Sequence, residues 1–125
     1  MASPDDRRYL ESHEWHKLEG DVVTLGISQF AVDELTDITY VEAIVSEGTT
    51  DKGAPVAEVE SVKATSEIYA GIDGEVIDVN QDVIDDPSLI NQDCYGKGWL
   101  LKIKPANPAQ LDALLSSADY DKLHG

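Results

Sequence analysis

Lys63 stands in a setting that suits chemistry on a primary amine. It lies in the polar stretch Glu60-Ser61-Val62-Lys63-Ala64-Thr65-Ser66-Glu67. Upstream, Pro55-Val56-Ala57-Glu58-Val59-Glu60 alternates in the period-two manner of a strand. Downstream come Ile68-Tyr69-Ala70, the glycines Gly71 and Gly74, and the second expected strand, Glu75-Val76-Ile77-Asp78-Val79. A lysine between two strands occupies a hairpin tip, where its amine is open to another protein. Such an amine can carry a covalent prosthetic arm. The plainer role of a turn lysine is a solvated charge, and the hairpin alone does not choose between them.

The other reactive side chains form no catalytic set. His13 and His16 are three apart on an expected strand, so they point to opposite faces rather than converging on a metal. His124 reads as a solvated tail residue. Cys94 has no second cysteine for a redox or zinc pair, and a lone thiol fits a reducing compartment. Gly71-Ile72-Asp73-Gly74 lacks the phosphate-loop pattern and reads as the turn after the hairpin.

The elements that must position Lys63 follow from pattern. A chain of 125 residues suits one domain with a single core. Residues 1–8 read as a polar tail, and residues 9–125 as the domain. Trp15 to Leu18 suits a strand turning at Glu19-Gly20-Asp21 into Val22–Ile27, where Val23, Leu25 and Ile27 share one face. Ser28 suits the N-cap of a short helix through Leu35, with Ala31 and Leu35 stacked. Ile38 to Val45 reads as a strand, and residues 54–80 as the hairpin that presents Lys63. Asp85-Asp86-Pro87-Ser88 stops any strand, with Leu89-Ile90 tucked inward. Trp99, Leu101 and Ile103 give a last strand one apolar face. Asn107 and Pro108 begin C-terminal helices over about 107–123, with Leu111, Leu114 and Leu115 as a buried stripe and Tyr120 and Leu123 packing inward. Short strands, Gly and Pro turns and peripheral helices indicate a mostly β, sandwich-like domain.

Charge narrows the partners. Nine basic against 25 acidic side chains leave a net charge of −16, which repels phosphate backbones and excludes nucleic acid as a partner. The same charge suits docking on basic patches of proteins, or simply keeps a small carrier dissolved. No apolar run reaches membrane-span length, and the acidic residues near the start argue against a targeting presequence. The expectation is a cytoplasmic monomer.

Glu60-Ser61-Val62-Lys63-Ala64 followed by Ile68-Tyr69-Ala70 closely resembles the lipoyl-attachment segment of the glycine cleavage system H proteins. The resemblance extends through His13-Glu14-Trp15, Leu25-Gly26-Ile27, Ala31, Leu35, Gly74-Glu75-Val76, Leu89-Ile90-Asn91, Tyr95, Gly98-Trp99, Lys102-Ile103-Lys104 and Leu111 to Leu115. Biotin carriers share the hairpin but flank their lysine with methionines, where this chain has Val62 and Ala64. Lipoyl domains of 2-oxoacid dehydrogenases usually place an acidic residue before the lysine, where this chain has Val62. Two positions depart from the family: Thr36-Asp37 replaces a usual Gly-Asp, and Ala43-Ile44 a common Leu-Pro.

The resemblance implies a barrel-sandwich hybrid fold with one short helix in the first half and helices at the end. It implies lipoate joined to Lys63 by an amide, with Glu60 and Ser61 recognised by the lipoyl-attaching enzyme. It implies a non-catalytic carrier that moves the aminomethyl group of glycine from a pyridoxal-phosphate glycine decarboxylase to an aminomethyltransferase. Its dithiol would then go to dihydrolipoyl dehydrogenase. It also places Ser12, Glu14 and Glu67 near a cleft that shelters the loaded cationic arm; the plainer reading makes both glutamates part of an acidic surface. A lipoyl relay to other enzymes and an unmodified interaction module stay open as alternatives.

Overall fold

Alternating apolar residues become two antiparallel sheets that close on a shared core. The computed structural model describes residues 3–45 and 47–124. The larger sheet begins with β1 (Arg8–Tyr9), β2 (Glu14–Glu19) and β3 (Val22–Ile27). It continues through β9 (Leu101–Pro105), β8 (Gly74–Val79) and β5 (Gly48–Thr50), in that spatial order. The smaller sheet has the order β4 (Ile38–Ala43), β6 (Pro55–Ser61), β7 (Thr65–Tyr69). Val23, Leu25 and Ile27 of β3 and Leu101 and Ile103 of β9 belong to the same buried cluster as Val41, Val59 and Ile68 of the small sheet. This architecture is the mostly β fold read from the sequence.

Local chemistry explains the joints. The two-residue loop Gly20-Asp21 joins β2 to β3, and Gly20 takes φ 65°, where a side chain would be strained. At Gly26 the Trp15 indole lies so close that a Cβ would sit 2.6 Å from it. The indole N–H donates to the carbonyls of Ile27 and Cys94, so the ring is held against both strand and loop. Ser28 caps α1 (Gln29–Leu35) by accepting from the Ala31 N–H, as its position predicts.

Several expectations are corrected. The second arm of the hairpin is β7, whereas Gly74–Val79 belongs to the other sheet, between β9 and β5. Gly71 to Asp73 carry the chain across, and β7 is hard to see because Ile68 is its one fully buried residue. Residues 3–8 do not form a free tail. The Arg7 guanidinium lies 4.6 Å from the Trp15 ring centroid and donates to the Tyr95 carbonyl, and Tyr9 Oη donates to the Pro4 carbonyl. Residues 1 and 2 of that expected tail, and residue 125, lie outside the described residues.

The C-terminal stripe is also interrupted. Pro108–Ala113 is a 3-10 helix capped by Asn107, and Leu115 then leaves the helix to exchange two backbone hydrogen bonds with Tyr9. α4 (Ser117–His124) follows; it buries Tyr120 but leaves Leu123 56% exposed. Between Asn80 and Asp93 the chain does stop forming strand, and Ile90 tucks inward as expected, fully buried. That stretch holds two short helices, α2 (Gln81–Asp85) and α3 (Ser88–Gln92). The strand from Ile38 stops at Ala43, and the last strand starts at Leu101, with Trp99 half-buried beside it.

Candidate functional site

The tip of the β6–β7 hairpin is the four-residue turn Ser61-Val62-Lys63-Ala64, because Glu60 pairs with Thr65. Ser61 organises it twice. Its N–H donates to the Ala64 carbonyl at 2.8 Å, and its Oγ accepts from the N–H groups of Lys63 and Ala64 at 3.1 Å each. Such a hydroxyl-to-backbone turn fixes the main chain without covering side chains. Val62, Lys63 and Ala64 are accordingly exposed. The ion pairs among the described residues are Arg7–Asp6, His13–Glu34 and Lys17–Asp6, so the Lys63 amine belongs to none of them.

The base of the tip is held from one side. The Val62 N–H donates to the Asp37 carbonyl at 3.2 Å, and Thr39 Oγ1 donates to the Glu60 carbonyl at 3.3 Å. Asp37 follows Thr36, which sits at φ 63°, ψ −133°. Asn91 of α3 bonds both neighbours of Asp37, accepting from the Ile38 N–H at 2.9 Å and donating to the Thr36 carbonyl at 2.7 Å. Sequence reading gave Asn91 no role beyond its place in the resemblance. A polar residue next to the buried Ile90 was the available signal.

Ser12 and Glu14 bond each other, and Glu67 lies exposed on β7. Ser12 Oγ donates to Glu14 Oε1 at 2.6 Å, and Glu14 Oε2 accepts from the Tyr69 N–H at 2.6 Å. Glu14 is 0% exposed, so it is no part of an acidic surface. Burial pushes its carboxyl upward from the ordinary value, while the bonds from Ser12 and Tyr69 pull it back. Glu67 is exposed on β7, opposite Glu58, which in turn lies opposite Glu42. Glu60 lies on the same strand as Glu58, beside the tip.

An open cleft of about 480 Å³ is lined by Leu10, Glu11, Ser12 and His124. His124 is therefore not the solvated tail residue expected: its Nε2 lies 2.9 Å from the Glu11 carbonyl, and its ring packs on His13 and Tyr120. His13 Nδ1 lies 2.6 Å from Tyr120 Oη, which lies 2.6 Å from Ser28 Oγ. Burial lowers the His13 pKa, with His124 acting in the same direction and Glu34 against it.

His16 is buried on β2, and the Gly71 N–H donates to its Nε2 at 2.9 Å, which leaves Nδ1 to carry the proton of the neutral ring. Burial pushes its pKa down to about 4. His13 and His16 share no ligand position, and no group of three metal-ligating side chains is found among the described residues. No helix among them is long and apolar enough to cross a membrane.

Comparison with known proteins agrees with this geometry. The family model for the glycine cleavage H-protein matches residues 7–124. The glycine cleavage system H protein of Magnetococcus marinus is 46% identical over 120 residues, covering 96% of this chain and 86% of that one. A probable glycine cleavage system H protein of Aeropyrum pernix is 49% identical over 115 residues, covering 92% and 80%. The crystal structure of a glycine cleavage system H protein from Mycobacterium marinum superposes with a TM-score of 0.86 at 34% identity, covering 95% of this chain and 96% of that chain.

Proposed function

The chain belongs to the glycine cleavage H-protein family, whose members are lipoate carriers, and we propose that Lys63 is where it carries the group. The observation behind this reading is the tip itself: an exposed primary amine, outside every ion pair of the described residues, on a turn fixed by Ser61. Amide formation needs a reachable amine, and a carboxylate clamp would hold it back. Among the described residues Lys63 has no such clamp, so the residues present fit the group. When attached, lipoate supplies a dithiol–disulfide couple at the end of a long tether.

The chain's own residues present and protect that tether. Ser61 sets the direction in which the Lys63 side chain leaves the turn, and Glu60 with Ser61 gives the lipoyl-attaching enzyme a charge and a shape to recognise. The exposed tip lets one carrier reach three active sites in turn: glycine decarboxylase, aminomethyltransferase and dihydrolipoyl dehydrogenase. Tethering makes each delivery local rather than bimolecular. Ser12, Glu14 and Glu67 serve the loaded, cationic arm. Reaching the buried Glu14 requires Ser12 to release its hydrogen bond, so Ser12 gates that carboxylate and Glu67 attracts the cation from outside.

Lys63→Arg tests the assignment. Arginine keeps the positive charge and the fold but cannot form the amide. Incubation with a lipoyl-attaching enzyme should raise the intact mass of the wild type by one lipoyl group and leave the variant unchanged. A lipoyl mass gain on Lys63→Arg would overturn the reading.

A further inference from the structure

A four-residue tip on a hairpin has few neighbours to fix its angle, and this hairpin is open on one side. β7 is the edge of the three-stranded sheet, so support for the tip must come from the β4 side of β6. Next to the longer Thr39 Oγ1 bond to the Glu60 carbonyl, one backbone bond reaches the tip itself, from the Val62 N–H to the Asp37 carbonyl, beside the pairing of Ile38 with Ser61. The aim of the Asp37 carbonyl therefore sets where the residue before Lys63 lies.

That carbonyl sits in a strained turn. Thr36 has φ 63° and ψ −133°, a backbone region that suits glycine and is unfavourable for a β-branched side chain. Something outside the turn must hold it there. Asn91 does so from α3, bonding the residue on each side of Asp37. Its amide has only one workable orientation, because the Ile38 N–H needs an acceptor and the Thr36 carbonyl needs a donor. α3 is itself pinned by Ile90, which is fully buried. The hydrogen-bonded chain runs from the core through Asn91, the Thr36-Asp37 turn and Val62 to Lys63.

We propose that Asn91 is a positioning residue for Lys63: it holds a strained turn whose carbonyl directs the tip, and thereby sets how readily the attaching enzyme takes the lysine. This rests on the reading of Lys63 as the attachment site. Asn91 touches neither the amine nor any reacting atom. Its effect is geometric.

Three variants test it, each read by amide hydrogen exchange at Val62 and by kcat/KM of lipoyl attachment to the full-length apo protein. Asn91→Ala should speed exchange at Val62 and lower attachment by about five-fold each, the factor equivalent to one ordinary hydrogen bond. Thr36→Gly in the Asn91→Ala background should restore both, because glycine adopts this backbone without the strain that Asn91 offsets. That double variant also carries the test if Asn91→Ala alone fails to fold. Leu111→Ala, a core truncation in the 3-10 helix, should lower the Tm yet leave Val62 exchange and attachment at wild-type values. Wild-type values for Asn91→Ala, or an equal attachment loss in Leu111→Ala, would overturn the proposal. If wild type itself takes no lipoyl group on Lys63, the attachment reading fails, and Val62 exchange still decides whether Asn91 braces the tip.

Discussion

Glu14 and His16, two residues apart on β2, show how burial converts ordinary side chains into specialised ones. Glu14 is enclosed with both oxygens bonded, so Gln can replace it by accepting from the Tyr69 N–H and donating to Ser12. If the pair Ser12–Glu14 receives the loaded amine, Glu14→Gln should speed its non-enzymatic release by about ten-fold, at the low end of a charged hydrogen bond. Glu67→Gln removes an exposed charge, worth at most about 1 kcal/mol or roughly five-fold. Release measured on purified, loaded protein checks both, and equal rates in all three proteins would remove the sheltering role. His16 makes stability pH-dependent. Its folded pKa of about 4 lies below the ordinary 6.5, so between those values the unfolded chain binds the proton and the folded chain does not. Stability present above pH 6.5 is lost as pH falls towards 4, by roughly 3 kcal/mol from this group. His13 shifts the same way, whereas Glu14, with a raised pKa, gains stability as pH falls through its own range and offsets part of the loss. Urea midpoints should therefore drop from pH 6.5 to 4.5 in wild type. His16→Gln, which offers Gly71 an acceptor but does not titrate, should flatten that slope.

At the scale of elements, the strongest legible signals were periods and caps. Val23, Leu25 and Ile27 placed β3, Ser28 placed the start of α1, and Asn107 with Pro108 placed the turn into the 3-10 helix. What failed did so for tertiary reasons. β7 keeps only Ile68 fully buried, and polar residues on an exposed edge erase the alternation that would mark the second hairpin strand. Leu114 and Leu115 continue a helical stripe in sequence, but the outer edge of β1 at Tyr9 offers Leu115 a strand partner, and the bridge wins. The Asn91 brace joins residues 53 and 55 positions apart, beyond the reach of local pattern. Gly26 tests the packing of β2 on β3. Gly26→Ala would put a Cβ 2.6 Å from the Trp15 indole, and overpacking of that kind costs about 1–3 kcal/mol. Thermal unfolding should show a lower Tm, with Lys63 attachment unchanged because the tip lies in the other sheet.

The whole molecule is a two-sheet body with the proposed attachment lysine at its margin. The net charge of −16 would become one unit more negative on conversion of the Lys63 ammonium to an amide. Glu42, Glu58 and Glu67 lie in register across the small sheet that ends in the tip, an arrangement that costs some repulsion within the sheet. The attached arm would therefore leave from an acidic face. Composition made the net charge legible, but only strand register shows that part of it is gathered beside Lys63. This lysine, and no other, is proposed to bear the lipoyl group. Peptide mass spectrometry on protein purified from its native host measures that directly. The account predicts one lipoyl group, on the peptide containing Lys63; a biotinyl mass there, or a lipoyl group on Lys52 with Lys63 bare, would contradict it.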